Sequence, residues 1–469
     1  MNKKKIKILD CTIRDGGYYN NWNFKNIFVK DYLKKITKSK IDFIEIGFRF
    51  LHKKNIYGNF AKVSDSKILN YKIPKTTKVA VMINANEYIS DLKKLDINIK
   101  KNFEKKINSR VDLVRIAINF DNVLKIKSLA QKIKKLGYKV AVNLMQAHSK
   151  DNRQYYYISE KLLKWKTIDI LYFADSLGAM EPQEVKTITK IFSKNWKNNL
   201  GIHAHNNKGL ALINTITAIQ NGCSYCDSTI LGMGRGAGNA QTELILLELK
   251  KLGFHNGEAS FIQSNNDQFK KLHNIYKWGH NFYYHYAANN FIHPTYVQTL
   301  LTEKRYKSDK IYNILKNLTD VKASSFSSEY LNFASKNRLK GSIKEWDATN
   351  YLKNKNIVLL GPGNSIKIEI KKIKQFIKKY KAIVFSLNYT DLIPKSYLSG
   401  IIICNISRYL LDFSKYKKLN CNVIMPINYI FKFTKKIPKK NQILNYGMKI
   451  SSEKISINKT FCEIESDLT

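Results

Sequence analysis

The chain has 469 residues, 44% of them hydrophobic, which is enough to fill the cores of one large domain and one smaller domain. It contains no run of 18 apolar residues, so we expect no membrane-spanning helix. A net charge of +45 is of the kind found in nucleic-acid-binding proteins. Because the lysines and arginines are spread over nearly the whole length, we attribute them to solvated surfaces and expect no nucleic-acid partner.

Cysteine content and the N-terminus bear on the compartment. Six cysteines scattered over 469 residues are too few for a disulfide framework. The N-terminus is basic, but the apolar stretch after it is short and interrupted by charges, unlike a signal peptide. Cys223 and Cys226 form a single C-x-x-C pair, which we interpret as apolar packing rather than a zinc or redox site. We therefore expect a protein of the reducing cytoplasm.

Eight short apolar runs alternate with helical stretches in the first half of the chain. The runs are residues 6–12, 43–48, 79–85, 113–118, 139–146, 170–176, 200–206 and 227–233. Segments between them, such as 27–37 and 123–136, carry apolar residues at helical spacing with lysines on the opposite face. This alternation predicts a closed (β/α)8 TIM barrel over residues 1–245. An open doubly wound sheet is the alternative.

Polar residues collect where the predicted strands end, which is where the active sites of such barrels lie. Arg14 and Asp15 follow strand one, Glu45 lies within strand two, and strand eight leads into a glycine-rich loop at 232–238. The ends of strands five, six and seven add Asn143, Gln146, Asp175, Ser176, His203 and His205. This shared rim predicts one functional site, in which Asn143, Asp175 and Ser176 bind substrate.

His203 and His205 are set two residues apart at the end of an apolar run. Because side chains on a strand alternate with a period of two, both imidazoles leave the same face and can converge on one divalent cation. Asp15 supplies a hard oxygen ligand, and Arg14 is a fixed cation beside it. Such a site keeps positions open for substrate, which favours Lewis-acid chemistry. Two structural histidines bonded to loop carbonyls are the alternative.

The strand rhythm stops after residue 245. Helical spacing at 246–252, 266–278 and 311–318 predicts a helical extension and linker over residues 246–345. A strand at 357–360, a helix to about residue 380 and strands at 382–387, 400–404 and 422–425 predict a smaller Rossmann-like α/β domain over residues 346–469.

A turn in this second domain is a candidate anion loop. Gly361, Gly363 and Ser365 lie between its first strand and its helix, where backbone amides could hold the phosphate of a nucleotide or nucleotide-sugar. A plain turn with Ser365 as the helix N-cap explains the same residues.

Five motifs are distributed along the predicted barrel. They are Asp10-Cys11-Thr12-Ile13-Arg14-Asp15-Gly16, Ile44-Glu45-Ile46-Gly47, Asp175-Ser176-Leu177-Gly178, His203-Ala204-His205-Asn206 and the loop from Gly232 to Glu243. Together and in this order they resemble the TIM-barrel metallolyases, over about residues 5–300. That superfamily includes 4-hydroxy-2-oxovalerate aldolase, 3-hydroxy-3-methylglutaryl-CoA lyase, isopropylmalate synthase and homocitrate synthase. The resemblance is closest to the 4-hydroxy-2-oxovalerate aldolase branch, through Gly-Ala-Gly-Asn-Ala at residues 236–240.

The resemblance implies a metal site. Asp15, His203 and His205 match the family's metal ligands, and Asn239 matches a further ligand of some members. The implied cation is manganese or magnesium, with zinc or cobalt as alternatives.

It also implies roles beside the cation. Arg14 matches the arginine that stabilises enolate charge, and Glu45 matches an acidic residue that orients that arginine. Gly236 and Gly238 are expected to allow close backbone approach around Asn239, at a substrate carboxylate or phosphate.

The resemblance further implies a reaction and its partners. A 2-oxo acid such as pyruvate, chelated by the cation, becomes an enolate nucleophile at C3. The implied enzyme is an aldolase that joins this enolate to an aldehyde or splits the product, and enzymes of this branch often pair with an acylating aldehyde dehydrogenase. The alternatives are an acyl-CoA-dependent condensing enzyme and a non-catalytic barrel fused to a nucleotide- or sugar-binding domain. We expect a homo-oligomer.

One position departs from the family. Three residues after the metal-binding aspartate the aldolases carry a histidine, whereas here Tyr18 follows Asp15 at that spacing. A phenol with a pKa near 10 is a weak general base at neutral pH. Tyr18, His148 and Tyr286 therefore stand as candidates for proton transfer, with packing roles as the alternative for each.

Overall fold

The structure is a computed structural model that describes residues 5–52, 55–264, 266–303, 306–319, 323–335, 346–361, 363–403, 406–430, 443–450, 456–457 and 461–464. The chain divides into two compact units, Met1–Phe326 and Ser327–Thr469. Within the described residues, no helix has both the length and the apolar character needed to cross a membrane.

The first unit contains the predicted barrel. Its strands are Lys7–Asp10 (β1), Phe43–Phe48 (β2), Lys78–Asn84 (β3), Leu113–Asn119 (β4), Lys139–Met145 (β5), Ile170–Asp175 (β6), Asn199–Ala204 (β7) and Tyr225–Ser228 (β8). They pair in parallel in chain order, and β8 closes on β1. The expectation of a closed (β/α)8 barrel is therefore confirmed, and the open sheet is excluded.

Helices surround these strands. Those of the barrel are Thr12–Asn20 (α1), Asn26–Lys38 (α2), Asp65–Leu69 (α3), Ala85–Ile89 (α4), Leu95–Lys100 (α5), Lys127–Lys135 (α6), Asn152–Leu163 (α7), Pro182–Asn195 (α8), Ala211–Gln220 (α9) and Thr242–Lys251 (α10). In α6 the buried positions are Leu129, Ala130 and Ile133, and its lysines lie on the other face. The 3.6-residue period places the apolar side chains on one face, and burial of that face packs the helix against the sheet.

The barrel interior is layered because strand side chains alternate between its two faces. An apolar layer contains Leu9, Phe43, Leu113, Ile170, Tyr172 and Tyr225. Two residues further along their strands, the inward positions become charged: Glu45 on β2, Arg115 on β4 and Asp227 on β8 are all buried. The next layer towards the C-terminal ends of the strands opens into a cavity.

Six of the eight predicted strands extend past the observed C-terminal ends, by one to five residues, and the first and the eighth show the cause. β1 ends at Asp10, because the carboxylate of Asp10 accepts hydrogen bonds from the Thr12 amide (3.0 Å) and hydroxyl (2.6 Å) and the chain turns into α1. Arg14 and Asp15 therefore follow strand one, as expected, and they lie in the first turn of a helix. β8 ends at Ser228, and a 3₁₀ turn at Ile230–Gly232 replaces its predicted second half.

Further helices follow the barrel in the first unit. They are Ser260–Gln263 (α11), Asp267–Tyr276 (α12), Phe282–Asn289 (α13), Pro294–Thr302 (α14) and Ser308–Thr319 (α15). Helical segments at 246–252, 266–278 and 311–318 were expected from the sequence, and each coincides with one of these helices or with α10.

The second unit contains another α/β sheet, as expected. Its elements are Ser328–Ser335 (α16), Thr349–Leu352 (α17), Ile357–Leu360 (β9), Ser365–Tyr380 (α18), Ile383–Leu387 (β10), Gly400–Ile402 (β11), Ile406–Leu411 (α19), Phe413–Tyr416 (α20), Asn422–Met425 (β12), Ile427–Ile430 (α21) and Ile443–Asn445 (β13). Gly447–Ile450 (β14), Ser456–Ile457 (β15) and Phe461–Ile464 (β16) form a three-stranded sheet. Residue 404, at the end of one predicted strand, lies outside the described residues.

The five-stranded sheet differs from a Rossmann sheet in its order. Strands β9 to β13 are parallel and lie in chain order. Doubly wound folds bind nucleotides where the strand order reverses, and no reversal occurs among the described strands. The sheet thus has the expected parallel α/β character without the crevice that would favour a nucleotide.

Candidate active site

Three side chains of the types that bind metals converge inside the rim of the barrel. The Oδ2 atom of Asp15 on α1 lies 3.7 Å from Nε2 of His203 on β7 and 3.8 Å from Nε2 of His205. The two Nε2 atoms are 3.3 Å apart. All three residues are buried and point one ligand atom each at a common centre. Spacing and donor type suit a divalent cation bound by two imidazoles and one carboxylate.

The protonation states of these residues also suit a cation. Nδ1 of His203 bonds to Oδ2 of Asp227 at 2.8 Å, which leaves Nε2 free to bind a metal. Burial lowers the pKa of His205, so its ring is neutral. Burial would raise the pKa of Asp15, but the adjacent Arg14 guanidinium outweighs it and holds that pKa well below its ordinary value. Metal ligands must be deprotonated, and the lowered pKa values of Asp15 and His205 meet this requirement.

Asn239 completes the surroundings of Asp15. Its Nδ2 donates to Oδ2 of Asp15, and its Oδ1 is buried with no hydrogen-bond partner among the described residues. A Cβ on Gly234 would lie 2.5 Å from Nδ2 of Asn239 and 2.9 Å from Oδ2 of Asp15. An orphaned amide oxygen beside a carboxylate, kept clear by a glycine, fits a hard cation.

A ladder of buried ion pairs supports the site from below. Nε of Arg14 donates to Oε2 of Glu45 at 2.7 Å, and Nη1 of Arg14 lies 2.5 Å from Oδ1 of Asp15. Nη1 of Arg115 donates to the same Glu45 oxygen at 3.0 Å, and its Nη2 reaches Oδ2 of Asp227 at 2.5 Å. Glu45 thus orients Arg14, as the resemblance implied, and the ladder connects Arg14 to the ring of His203.

Arg115 and Asp227 were not among the predicted site residues. A signal was present, because Arg115 interrupts the otherwise apolar run at 113–118. A fully buried arginine requires charged partners, so this residue alone could have indicated a polar layer inside the barrel.

A cavity of about 460 Å³ lies above the candidate metal centre. Arg14, Asp15, His203 and His205 line it, as do the predicted residues Tyr18, Asn143 and Ser176. Other lining residues were not predicted: the aromatic side chains Trp22, Phe48, Phe50 and Tyr57, the polar side chains His52, Asn84 and Glu87, and Arg235. The site therefore combines a polar base with a largely aromatic wall.

Tyr18 belongs to this aromatic wall. Its ring centre lies 4.9 Å from that of Trp22 and 6.2 Å from that of Phe48, in edge-to-face packing, and the Arg235 guanidinium carbon lies 5.5 Å from it. Desolvation raises the pKa of Tyr18 above its usual value of 10. The phenol is therefore protonated at neutral pH and can donate a hydrogen bond or a proton, but it is not a base.

Three other candidates do not reach the cavity. Asp175 turns away from it, and its two carboxylate oxygens accept from the amides of Ala179 (2.9 Å) and Met180 (3.1 Å). The ring of His148 stacks on Phe291, and burial lowers its pKa to about 4. Tyr286 is on α13 and packs on Tyr312. The structure brings none of the three to the candidate metal centre.

Two glycines in the loop after β8 act through the backbone. Gly238 has φ of +85°, and a Cβ there would lie 1.9 Å from the carbonyl oxygen of Gly232. Its own carbonyl accepts from the Asn206 amide at 2.7 Å, next to an antiparallel bridge between His205 and Asn239. Gly236 has φ of +69° and packs on Pro294. This close approach places Asn239 beside Asp15.

The anion loop predicted in the second unit joins β9 to α18. Gly361, Gly363 and Ser365 line a recess of about 390 Å³, and Pro362 lies outside the described residues. The carboxylate side chain of Glu369 lines the same recess, and its charge disfavours an anion there.

Comparisons with known proteins identify the family of the barrel. A family model described as HMGL-like matches residues 5–277. The 4-hydroxy-2-oxovalerate aldolase of Carboxydothermus hydrogenoformans is 30% identical over 261 residues, which cover 54% of this chain and 73% of that protein. 4-Hydroxy-2-oxovalerate aldolase 4 of Rhodococcus opacus is 29% identical over 260 residues, covering 55% of this chain and 72% of that protein.

Comparisons with solved structures support the barrel fold. The N-terminal domain of a candidate aldolase from Bacteroides vulgatus is 34% identical with a TM-score of 0.56, covering 64% of this chain and 98% of that one. The carboxyl transferase domain of Rhizobium etli pyruvate carboxylase, at 12% identity and a TM-score of 0.56, covers 71% of this chain and 61% of that one and shares the fold alone. Because the family model spans more than half of the chain, from β1 through α12, the protein belongs to the HMGL-like family of lyases and related transferases.

Proposed function

We propose that the barrel is a divalent-metal-dependent aldolase that makes or breaks a carbon–carbon bond through the enolate of a 2-oxo acid such as pyruvate. The observation that carries the proposal is the convergence of Asp15, His203 and His205 at the base of a cavity that Arg14 also lines. Similarity to 4-hydroxy-2-oxovalerate aldolases supports the choice of substrate class.

The base of the cavity is suited to a 2-oxo acid. A divalent cation held by Asp15, His203 and His205, with manganese or magnesium as our expectation, would polarise the keto group and acidify C3. Arg14 uses Nε and Nη1 for Glu45 and Asp15, so its remaining N–H groups can donate to the enolate oxygen. A donor fixed in advance by two ion pairs stabilises that charge without reorganisation.

The bond changes balance without a further reactant. In cleavage, a 4-hydroxy-2-oxo acid loses the proton of its C4 hydroxyl, and the C3–C4 electron pair passes into the enolate. C4 departs as an aldehyde, and C3 takes up a proton to give the 2-oxo acid. In condensation, C3 loses a proton to give the enolate and attacks the aldehyde carbon, and the aldehyde oxygen takes the carbonyl electron pair and gains a proton.

We assign proton transfer at the C4 oxygen to Tyr18. It lines the cavity at the position where the resembling aldolases carry a histidine. Because its pKa is raised above the ordinary 10, the phenol is protonated at neutral pH and suits the condensation direction, in which the acceptor oxygen gains a proton.

Pyruvate release from 4-hydroxy-2-oxopentanoate tests the proposal. With manganese or magnesium, the wild-type protein should release pyruvate, and His203→Ala should abolish release by removing a metal ligand. His255→Ala is the matched control, because His255 is also buried and bonded to an aspartate, Asp42, but does not line the cavity. Wild-type turnover that survives excess chelator would contradict the proposal.

A further inference from the structure

Arg235 lies in the loop after β8 and lines the cavity. Its Nη2 donates one long hydrogen bond, of 3.4 Å, to the carbonyl oxygen of Ser176. Its Nε is buried and has no partner within the described part of the chain, and no described carboxylate forms an ion pair with it. Arg14 and Arg115, by contrast, each contact two carboxylates. Arg235 is thus an unsatisfied guanidinium facing the substrate space.

The loop holds Arg235 in place. On its C-terminal side, the Gly236 amide donates to Gln298 at 3.3 Å, and the Gly236 carbonyl accepts from the Tyr19 hydroxyl at 2.6 Å. The guanidinium stacks above Tyr18, a contact that restricts its orientation. A positioned guanidinium with free N–H groups is suited to bidentate binding of a carboxylate or phosphate.

Apart from Arg235, the charges at the base of the cavity cancel once the 2-oxo acid binds. This acid donates the enolate, and the aldehyde accepts it. The ion-pair ladder contains three carboxylates, Asp15, Glu45 and Asp227, and two guanidiniums. A divalent cation and the carboxylate of one 2-oxo acid make this group neutral. Glu87 also lines the cavity, but it follows β3, three strands from β8 around the barrel, and accepts from the Leu51 amide at 2.8 Å. The positive charge of Arg235 remains.

The cavity has room for a second molecule. At about 30 Å³ per water molecule, 460 Å³ corresponds to about 15 waters. Pyruvate has only six non-hydrogen atoms, so most of the cavity is available to the acceptor. Arg14 lies at the end of the cavity where the 2-oxo acid is expected to bind. Tyr18, which we assign to the acceptor oxygen, contacts Arg235, so Arg235 lies on the acceptor side.

We propose that Arg235 binds an anionic group, a carboxylate or a phosphate, on the acceptor aldehyde, so that the enzyme selects anionic over neutral acceptors. The inference rests on the proposed function and specifies its second substrate.

Condensation of pyruvate with matched aldehydes tests the selection. One arm compares succinic semialdehyde with butanal, and the other compares glyceraldehyde 3-phosphate with glyceraldehyde, which separates a carboxylate from a phosphate. Wild type should show kcat/KM at least about 10-fold higher for the anionic member of one arm, as expected for a hydrogen bond between charged groups. Arg235→Gln should remove this preference, mainly through KM.

Two further variants control the result. Arg235→Lys keeps the charge without the guanidinium fork, so it should retain part of the preference. Arg153→Gln removes an equal charge from an exposed position on α7 and should leave the preference intact. An equal loss for anionic and neutral acceptors in Arg235→Gln would overturn the inference.

Exchange of the C3 protons of pyruvate with solvent deuterium separates donor from acceptor effects, because it needs no aldehyde. If Arg235→Gln loses exchange to the same extent as condensation, the residue serves the donor and the inference is wrong. If the wild-type protein catalyses no exchange, the proposed function itself fails.

Discussion

A residue on the neighbouring strand orients His203 at the candidate metal centre. Asp227 on β8 accepts from its Nδ1 and is itself paired with Arg115. A period of two along β7 was enough to expect that both imidazoles share a face, because that rule depends only on local geometry. The partner could not be found in the same way. Arg115 and Asp227 are 112 residues apart in sequence and meet only because the barrel closes.

This support predicts the effect of Asp227→Asn. The amide can still accept from His203, but it is a weaker acceptor and leaves Arg115 without its charged partner. We expect a 10- to 100-fold loss of manganese affinity, measured by calorimetric titration of the full chain. Asp42→Asn is a matched control, since Asp42 also bonds to a buried histidine, His255, outside the cavity. Equal loss of manganese affinity in both variants would contradict the role given to Asp227.

A buried carboxyl in α10 makes a prediction about pH. Burial raises the pKa of Glu243 to about 7, and its Oε1 has no hydrogen-bond partner among the described residues. Because the folded pKa is above the ordinary 4.5, the stabilisation is complete below pH 4.5 and is lost as pH rises through 7. The loss from this group is on the order of 3 kcal/mol.

Glu243→Gln should remove that dependence. Its amide oxygen can still accept from the Leu231 amide, which Oε2 of Glu243 does at 3.2 Å, and it carries no charge to desolvate. Relative to wild type, the variant should therefore gain unfolding free energy between pH 4.5 and pH 8, measured by urea denaturation. A difference between the two proteins that does not change with pH would contradict the assigned pKa.

At the scale of elements, the β1–α1 junction shows where sequence patterns stop being informative. The apolar run at 6–12 predicts a strand up to Thr12, but the hydrogen bonds between Asp10 and Thr12 end it two residues earlier. Arg14 and Asp15 then reach the rim from a helix, so the position of the site was predictable while the element that carries it was not. A side chain that accepts a hydrogen bond from a nearby backbone amide can end a strand. The apolar periodicity of the sequence does not reveal such a local hydrogen bond.

The loop after β8 offers a matched pair of glycine substitutions. Gly238→Ala would place a Cβ at a positive φ and 1.9 Å from the Gly232 carbonyl oxygen, so the loop must move. Gly279→Ala also has a positive φ, but its Cβ meets nothing within 4 Å, so it isolates the backbone strain, about 1–3 kcal/mol. We expect Gly238→Ala to lower the free energy of unfolding by more than Gly279→Ala.

Metal binding distinguishes the two variants further. Gly238→Ala displaces Asn239 and its bridge to His205, and should weaken manganese binding, whereas Gly279→Ala should not. Calorimetric titration of both variants measures this. Unchanged affinity in Gly238→Ala would show that the loop does not position the site.

For the whole molecule, the barrel was predictable and the second unit only in part. Eight alternating apolar runs and helices specify a closed parallel barrel because few other folds use that many βα repeats. In the second unit, the strands predicted at 357–360 and 422–425 match β9 and β12, so the parallel α/β structure was predictable. The order of strands in a sheet depends on contacts between residues distant in sequence, so the absence of a reversal among β9 to β13 was not predictable.

The central claim, that Asp15, His203 and His205 hold a cation that activates a 2-oxo acid, is tested most directly by deuterium exchange at C3 of pyruvate. The account predicts exchange that requires added manganese or magnesium, stops with chelator and is absent in His203→Ala. Exchange by the wild-type protein at the same rate in excess chelator, or undiminished exchange in His203→Ala, would contradict it.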